Sequence, residues 1–410
     1  MSKTLLPILL LISGCQTAEE AAAEARAACT FEAGAPAIET LGVDAELPAS
    51  IPIKHIVIVM NENRSFDHYL GRLPQAGKAD VDGWPDGFSN PDKTGADIAP
   101  FHQPNGCLPI DPPHGWDAMH AQYGDGGMDG FVTSGAKAPS AGHYAVGYYE
   151  EADLPFYYWM AKTFAISDRY FSSVMGPTWP NREYLYAGTS NGGKETGAAT
   201  MEGVPTIFDA LTAAGISWHV YSNGTPRQDC LGWHLGSEGT SFYDTFLVAL
   251  QDGTLPEVSF VDPSGAQDEH PANNVHGGEA WAHDMITAAI ASPLWPKLAI
   301  LYTYDEAGGL ADHVPPPKAC LATPDATEFD RLGFRVPFYV ISPWARPGYV
   351  SHETHEHASM LRLIELLHGL PALTGRDANA DALLDLFDFE TPALLDPPTP
   401  PDAAPVDSCE

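Results

Sequence analysis

The chain has 410 residues, 44% hydrophobic and 10% aromatic, enough apolar material for one large buried core. Its 20 Lys and Arg stand against 54 Asp and Glu, a formal net charge of −34. A surface of that sign repels phosphate backbones and anionic headgroups over a Debye length, which excludes nucleic acid as a partner; solubility in an exterior compartment is the plain reason for the acid excess.

At the N-terminus Lys3 precedes LLPILLLI, an apolar run too short to span a bilayer, and residues 1–14 read as a signal peptide. The run ends Ile12, Ser13, Gly14, Cys15, which resembles the lipobox of bacterial lipoproteins, where the Cys is diacylated and becomes the first mature residue. Gln16 rather than Asp after that Cys implies an outer-membrane destination, so the expectation is a cell-envelope protein held to the membrane by a lipid on Cys15. Residues 15–50 include TAEEAAAEARAA, with no apolar face wide enough to pack, and are expected to form a lipidated tether or loose helix outside the core. The proline-rich DPPTPPDAAPVDSCE places a tail over 394–410 outside the core. With Cys15 lipidated, Cys29, Cys107, Cys230, Cys320 and Cys409 remain, enough for two disulfides. A Cys29–Cys409 bond between the terminal arms is one candidate.

Residues 51–393 carry the rest. Apolar, β-branched runs stand at 55–60 (HIVIVM), 217–222 (SWHVYS), 258–262 (VSFVD), 298–306 (LAILYTYDE) and 336–342 (VPFYVIS). Continuous apolarity marks strands buried on both faces, as in a parallel sheet. Helical patterns lie at 206–215, 279–292 and 355–369, the last closed by Gly369. This alternation predicts an α/β three-layer sandwich, a mostly parallel central sheet with helices on both faces. Ligands of such sheets bind beyond the carboxyl ends of strands. Two strands there run into hard oxygen donors: Asn61, Glu62 and Asn63 after the first, Asp305 and Glu306 after another. Carboxylates at neighbouring strand ends repel unless a cation sits between them, so Glu62, Asn63, Asp305 and Glu306 are candidate ligands of one divalent metal ion, with Ca, Zn and Mn all open. Gly308 and Gly309 are expected to let the backbone approach a ligand.

In VMGPTWPNREYLYAGT (174–189), Pro177 and Pro180 bracket Thr178 ahead of a helix starting near Asn181, whose positive end favours phosphate oxygens and an alkoxide alike. His114 (DPPHGWD), His270 (DEHP), His313 (ADHVPPP) and His357 (HEHAS) sit in rigid settings suited to proton transfer. The aromatics Trp116, Tyr157, Tyr158, Trp159 and Trp179 are core residues or the lining of an apolar or choline-accepting pocket.

Six ordered blocks now carry a resemblance: IVIVMNENRSFDHYLG, DGFV, DRYFSSVMGPTWPNREYLYAGT, LPEVSFVDP with DEHP, YDEAGGLADHVPPP, and RVPFYVISPWARPGYVSHETHEHASMLRLIE. Over roughly residues 51 to 390 the chain resembles the bacterial phosphoesterase family of phospholipases C and acid phosphatases, within the alkaline-phosphatase-like superfamily. The resemblance implies that fold and a metal-dependent attack on phosphorus. It implies Glu62 with Asn63 and Asp305 with Glu306 as metal pairs, and Thr178 as nucleophile and metal ligand. His114 and His270 would be catalytic and, with Asn63, contact the phosphoryl group; His313 and His357 sit in matching blocks, and Arg64 and Arg182 read as structural ion pairs. Leu310 and Ala311 replace the bulkier aromatics usual there, which alters the expected pocket. The expected activity is a phospholipase C-like phosphoesterase working through a phosphothreonine, on phospholipid or a small phosphate ester, with no protein partner evident. An acid phosphatase on soluble phosphomonoesters and an inactive binding lipoprotein are the alternatives.

Overall fold

The structure is a computed structural model and describes residues 16–134, 141–197, 201–222, 239–263 and 265–406. Cys15, Cys230 and Cys409, with the signal segment, lie outside the described residues.

An eight-stranded sheet organises the chain. Its strands are β1 (His55–Asn61), β2 (Ala165–Ser167), β3 (Trp218–Ser222), β4 (Thr240–Phe242), β5 (Val258–Asp262), β6 (Leu298–Tyr304), β7 (Phe338–Ile341) and β8 (Val350–Ser351), in the order β8-β2-β7-β6-β1-β5-β3-β4. β1 pairs in parallel with both β5 and β6, and the run continues in parallel through β3 and β4. Within this sheet β7 is antiparallel to both its neighbours, and β8 again pairs parallel with β2. β6 is buried along its whole length and β1 at all but its first residue. Since successive side chains point to opposite faces, both faces are covered.

The helices doing so include α1 (Ala18–Ala27), α2 (Ala37–Leu41), α3 (Pro155–Thr163), α4 (Thr178–Ala187), α5 (Ile207–Ala214), α6 (Tyr243–Asp252), α7 (Val275–Ala291) and α8 (His357–His368). They pack as two groups, α8 with α4 and α2, and α7 with α6 and α3. α8 stops at Gly369, whose φ of 64° supplies the left-handed turn. Among the described residues no helix is long and apolar enough to cross a membrane.

Two expectations about the ends are corrected. Residues 17–50 are docked, not a free tether. A capping box between Thr17 and Glu20 starts α1, and Arg26 Nη1 donates to Thr40 O at 2.6 Å. Asn379 Nδ2 donates to Phe31 O at 2.7 Å, Arg362 donates to Thr40 Oγ1, and Cys29 is disulfide-bonded to Cys320. Only Ala22 of α1 is buried, so polar contacts and a covalent staple replace the missing apolar face. Cys29 is therefore not joined to Cys409; Cys107 is also disulfide-bonded. The described part of the C-terminal tail packs too: Trp295 Nε1 donates to Leu395 O at 3.1 Å, and Ala404 N–H to the buried Glu279 Oε2 at 2.8 Å.

Candidate active site

The register of β1 and β6 sets Asn61 opposite Tyr304, so the two donor pairs leave the same sheet edge side by side. Glu62, Asn63, Asp305 and Glu306 are all buried. Asn63 takes a left-handed φ of 64°, which turns its N–H onto Asp305 Oδ1 at 3.0 Å. The Glu306 N–H donates to the same oxygen at 2.7 Å, and Gly308 N–H to Glu306 Oε2 at 2.6 Å. Three acceptors here are buried without a hydrogen-bond partner: Asn63 Oδ1, Asp305 Oδ2 and Glu306 Oε1. Burial, then the neighbouring Asp305 charge, push the Glu306 carboxyl far above the ordinary carboxylate range.

Gly308 and Gly309 serve the chain rather than a ligand. A Cβ on Gly308 would collide with Asn63 O, and one on Gly309 would meet Pro113 O at 2.5 Å. Both have positive φ, so glycine is required twice over where these loops touch.

α4 begins at Thr178 itself, three residues earlier than expected, with Pro177 as its N-cap. One turn on, Arg182 shares the face of Thr178 and points at the strand ends. Its guanidinium lies 2.9 Å from Asp262 Oδ1, 3.6 Å from Glu62 Oε1 and 3.7 Å from Asp305 Oδ2. Burial alone would lower its pKa, and the surrounding carboxylates of Asp262, Asp305 and Glu62 outweigh that. Arg182 is thus one cation among Glu62, Asp262 and Asp305, with Glu306 beside Asp305. That excess of buried anionic oxygen, with three orphaned acceptors, fits a divalent metal.

His114 Nδ1–H donates to Pro112 O at 2.7 Å, and Asn63 Nδ2 donates to His114 Nε2 at 3.2 Å. His270 stands edge-on to His114, ring centroids 5.5 Å apart, with its Nδ1–H donating to Pro271 O at 2.5 Å. Asp111, His114 and His270 bring ligand atoms within 4.8 Å of one another. Among the described residues Glu62, Asp305 and Glu306 do not converge that closely. A separate cavity of about 590 Å³, lined by neither His114 nor His270, has Phe101, His102, Gln103, Asn105, Leu108 and Tyr144 in its wall.

Other expected residues lie elsewhere. His313 donates toward Asp67 Oδ2 at 2.6 Å within a buried cluster with Arg335 and Asp312, a structural setting. His357 donates from Nε2 to the Asp305 carbonyl at 2.8 Å, and burial lowers its pKa to about 4, so it acts as a neutral prop. Arg64 donates to the Glu269 carbonyl rather than to a carboxylate, from Nε at 3.0 Å. Tyr157 and Tyr158 are core; Trp159 and Trp179 pack against it, and Trp116 already carries Lys194 Nζ 4.9 Å from its ring. They form no choline pocket together. Leu310 and Ala311 are fully buried.

Two features lie outside the expected set. Asp262 ends β5 next to β1 and meets the same strand-end rule as Glu62. Glu269 is fully buried beneath the site: Asn61 Nδ2 and Tyr157 Oη donate to its Oε1, and Tyr69 Oη and Tyr304 Oη to its Oε2. Burial raises its pKa to about 7 against those bonds. Its neighbours do the work above: the Asp268 carbonyl accepts from Glu62 N–H at 3.0 Å, and His270 faces His114.

Buried oxygen donors at the ends of β1 and β6, with Arg182 of α4 between them and His114 on Asn63, form one polar cluster at the carboxyl edge of the parallel strands. The chain belongs to the Phosphoesterase family, whose profile matches residues 53–371, and is a hydrolase of phosphate ester bonds. It is 32% identical to "Non-specific phospholipase C6" of Arabidopsis thaliana over 88% of this chain and 77% of that one. It is 31% identical to "Phospholipase C B" of Mycobacterium tuberculosis over 91% and 85%. A Vibrio parahaemolyticus protein in the alkaline phosphatase superfamily superposes with a TM-score of 0.44 at 11% identity, covering 88% of this chain and 77% of that one.

Proposed function

We propose that the protein is an exported phospholipase C-like phosphoesterase that works through a phosphothreonine on Thr178. The observation that carries this is the convergence of α4 on the β1 and β6 ends, through Arg182, with Thr178 one turn nearer the helix start. A divalent metal would be held by Glu62, Asn63, Thr178, Asp305 and Glu306. When bound, it would supply positive charge for a phosphate oxygen and favour the Thr178 alkoxide.

The protein's own groups do the rest. Thr178 Oγ1, at the positive end of a ten-residue helix, attacks phosphorus in line and breaks the bond to the leaving alcohol. His114 and His270 each spend Nδ1–H on a carbonyl, and with His114 Nε2 held by Asn63, His270 Nε2 is the working nitrogen. Asn63 donates to Nε2 of His114 and fixes that ring. His270 Nε2, when protonated, gives its proton to the alcohol; neutral, it then takes one from the water that hydrolyses the phosphothreonine. The substrate class is a phospholipid. The two similar proteins named phospholipase C favour the same substrate class.

Export is supported by the Cys29–Cys320 disulfide, a bond that persists in oxidising compartments, and a lipid on Cys15 is part of the same reading. The test is hydrolysis of phosphatidylcholine and of a simple phosphomonoester, before and after chelation, with Thr178→Ala alongside. Chelator and variant should each abolish turnover, and the preferred ester separates phospholipase from phosphatase. Undiminished turnover by Thr178→Ala would sink the covalent scheme.

A further inference from the structure

We propose that His355, Asp381 and Asp385 form a second divalent-cation site, zinc-like in its donors, that ties the segment following α8 to the end of β8. Ligand atoms of the three residues lie within 4.8 Å of one another. None of the three belongs to the site described above, so the proposal does not rest on the phosphoesterase reading.

The protons fix the geometry. Ser351 Oγ donates its single hydrogen to Asp385 Oδ2 at 2.5 Å. The same Oγ lies 3.0 Å from His355 Nε2 and can only accept there, so Nε2 carries the ring proton. The Nδ1 lone pair is left. It is buried without a hydrogen-bond partner, and Asp381 Oδ1 stands 3.2 Å from it. A lone pair facing a carboxylate oxygen at that range is repulsive unless positive charge lies between them. Asp385 Oδ1 is likewise buried without a hydrogen-bond partner, 3.4 Å from the ring at Nε2.

A cation at Nδ1 answers the nitrogen and Asp381 Oδ1, and Asp385, whose ligand atom lies within 4.8 Å of theirs, completes the donor set. Two ligands each about 2.1 Å from a tetrahedral Zn²⁺ stand about 3.4 Å apart, close to the spacing found here. One imidazole nitrogen with carboxylate oxygens suits zinc, and the Ser351 bond at the far nitrogen is the outer contact that orients a ligating histidine. His355 has no exposed side-chain surface, whereas Asp381 is 34% exposed. It opens on a cavity of about 550 Å³, also lined by Arg26 and Glu353, which gives a route for the ion. Arg26 approaches the other oxygen of Asp381, Oδ2, at 3.8 Å; Oδ1 accepts from Leu383 N–H at 2.7 Å and keeps its second lone pair for the metal.

The competing occupant is a proton, since the two carboxylates outweigh burial and raise His355 to about 9. The experiment strips the full chain with chelator, then titrates it with ZnCl₂ by calorimetry and counts bound zinc by mass spectrometry. The proteins compared are wild type, D381N, H355Q and D305N. D381N and H355Q should each bind one Zn²⁺ fewer than wild type, or bind that equivalent at least 10-fold more weakly, while D305N keeps it. If D381N and H355Q bind zinc with wild-type stoichiometry and affinity, the site does not exist and His355 is a protonated bridge between two carboxylates. Should H355Q fail to fold by circular dichroism, D381N decides, because its side chain is partly exposed.

Discussion

Arg182 shows what a single buried charge does at this site. It is flanked by Glu62, Asp262 and Asp305, so Arg182→Met would leave those carboxylates uncompensated. In chelated protein the variant should lose about 3–5 kcal/mol of stability, the range for breaking a buried ion pair from one side. Divalent metal should recover more of the melting temperature in the variant than in wild type; equal recovery would mean that metal and guanidinium do not share these oxygens. Glu269 makes a second test. Tyr69→Phe removes one of the four donors on its carboxylate and should cost about 1–3 kcal/mol. Because Glu269 precedes His270, kcat should fall with KM little changed, whereas a purely structural role would lower stability alone. His68 bears on pH: burial, then the Arg64 charge, hold it at about 3. Its folded pKa lies below the unfolded value of about 6.5, so the unfolded chain binds the extra proton and stability is lost as pH falls from 6.5 toward 3. His68→Gln should flatten that acid limb of a melting-temperature profile. Glu62, Asn63, Asp305 and Glu306 were legible in the sequence because each follows an apolar run. The rule extends to Asp262 with equal force. The tyrosines around Glu269 carry no such signal, since Tyr69 and Tyr157 stand 200 and 112 residues away from it and meet it only through the sheet.

At the scale of elements, the strands that carry chemistry are the ones their residues announce. β1, β3, β5, β6 and β7 all fall within the apolar runs, give or take a terminal residue. β2, β4 and β8 have three residues or fewer, and their pairing with neighbours outweighs any propensity that a sequence could display. The start of α4 was misplaced for a related reason: Pro180 looks like a boundary, yet proline is tolerated in a first helical turn, so the helix reaches back to Thr178. The β1 and β6 loops are held at one spacing by Gly308. Gly308→Ala sets a Cβ against the Asn63 carbonyl at a φ of 65° and should move Asn63 away from Asp305. We expect metal affinity, followed by calorimetry, to fall at least tenfold while the far-ultraviolet circular dichroism stays that of wild type. An unchanged affinity would show that the Asn63 turn does not set the ligand spacing.

For the molecule as a whole, the Cys29–Cys320 bond closes a separation of 291 residues. Cross-links of this kind stabilise by about 2–4 kcal/mol, mainly by restricting the unfolded chain. Replacing both cysteines by serine should lower the melting temperature and leave kcat on a soluble ester unchanged; a fall in kcat would reveal that the arm supports the site. The arm could not be read as docked because it lacks an apolar stripe, and its partners Thr40, Asn379 and Cys320 are spread along the chain.

That docking changes the scale on which an anchored enzyme would search for substrate. A free chain over residues 15–50 could extend by roughly 120 Å and let the catalytic body roam and tumble above a bilayer. With α1 capped at Thr17 and stapled at Cys29, only about 7 Å of extended chain separates Cys15 from rigid structure. Given the lipid proposed above, the body would stay close to the membrane surface, sampling a thin shell of lipid beneath it instead of a hemisphere of solution.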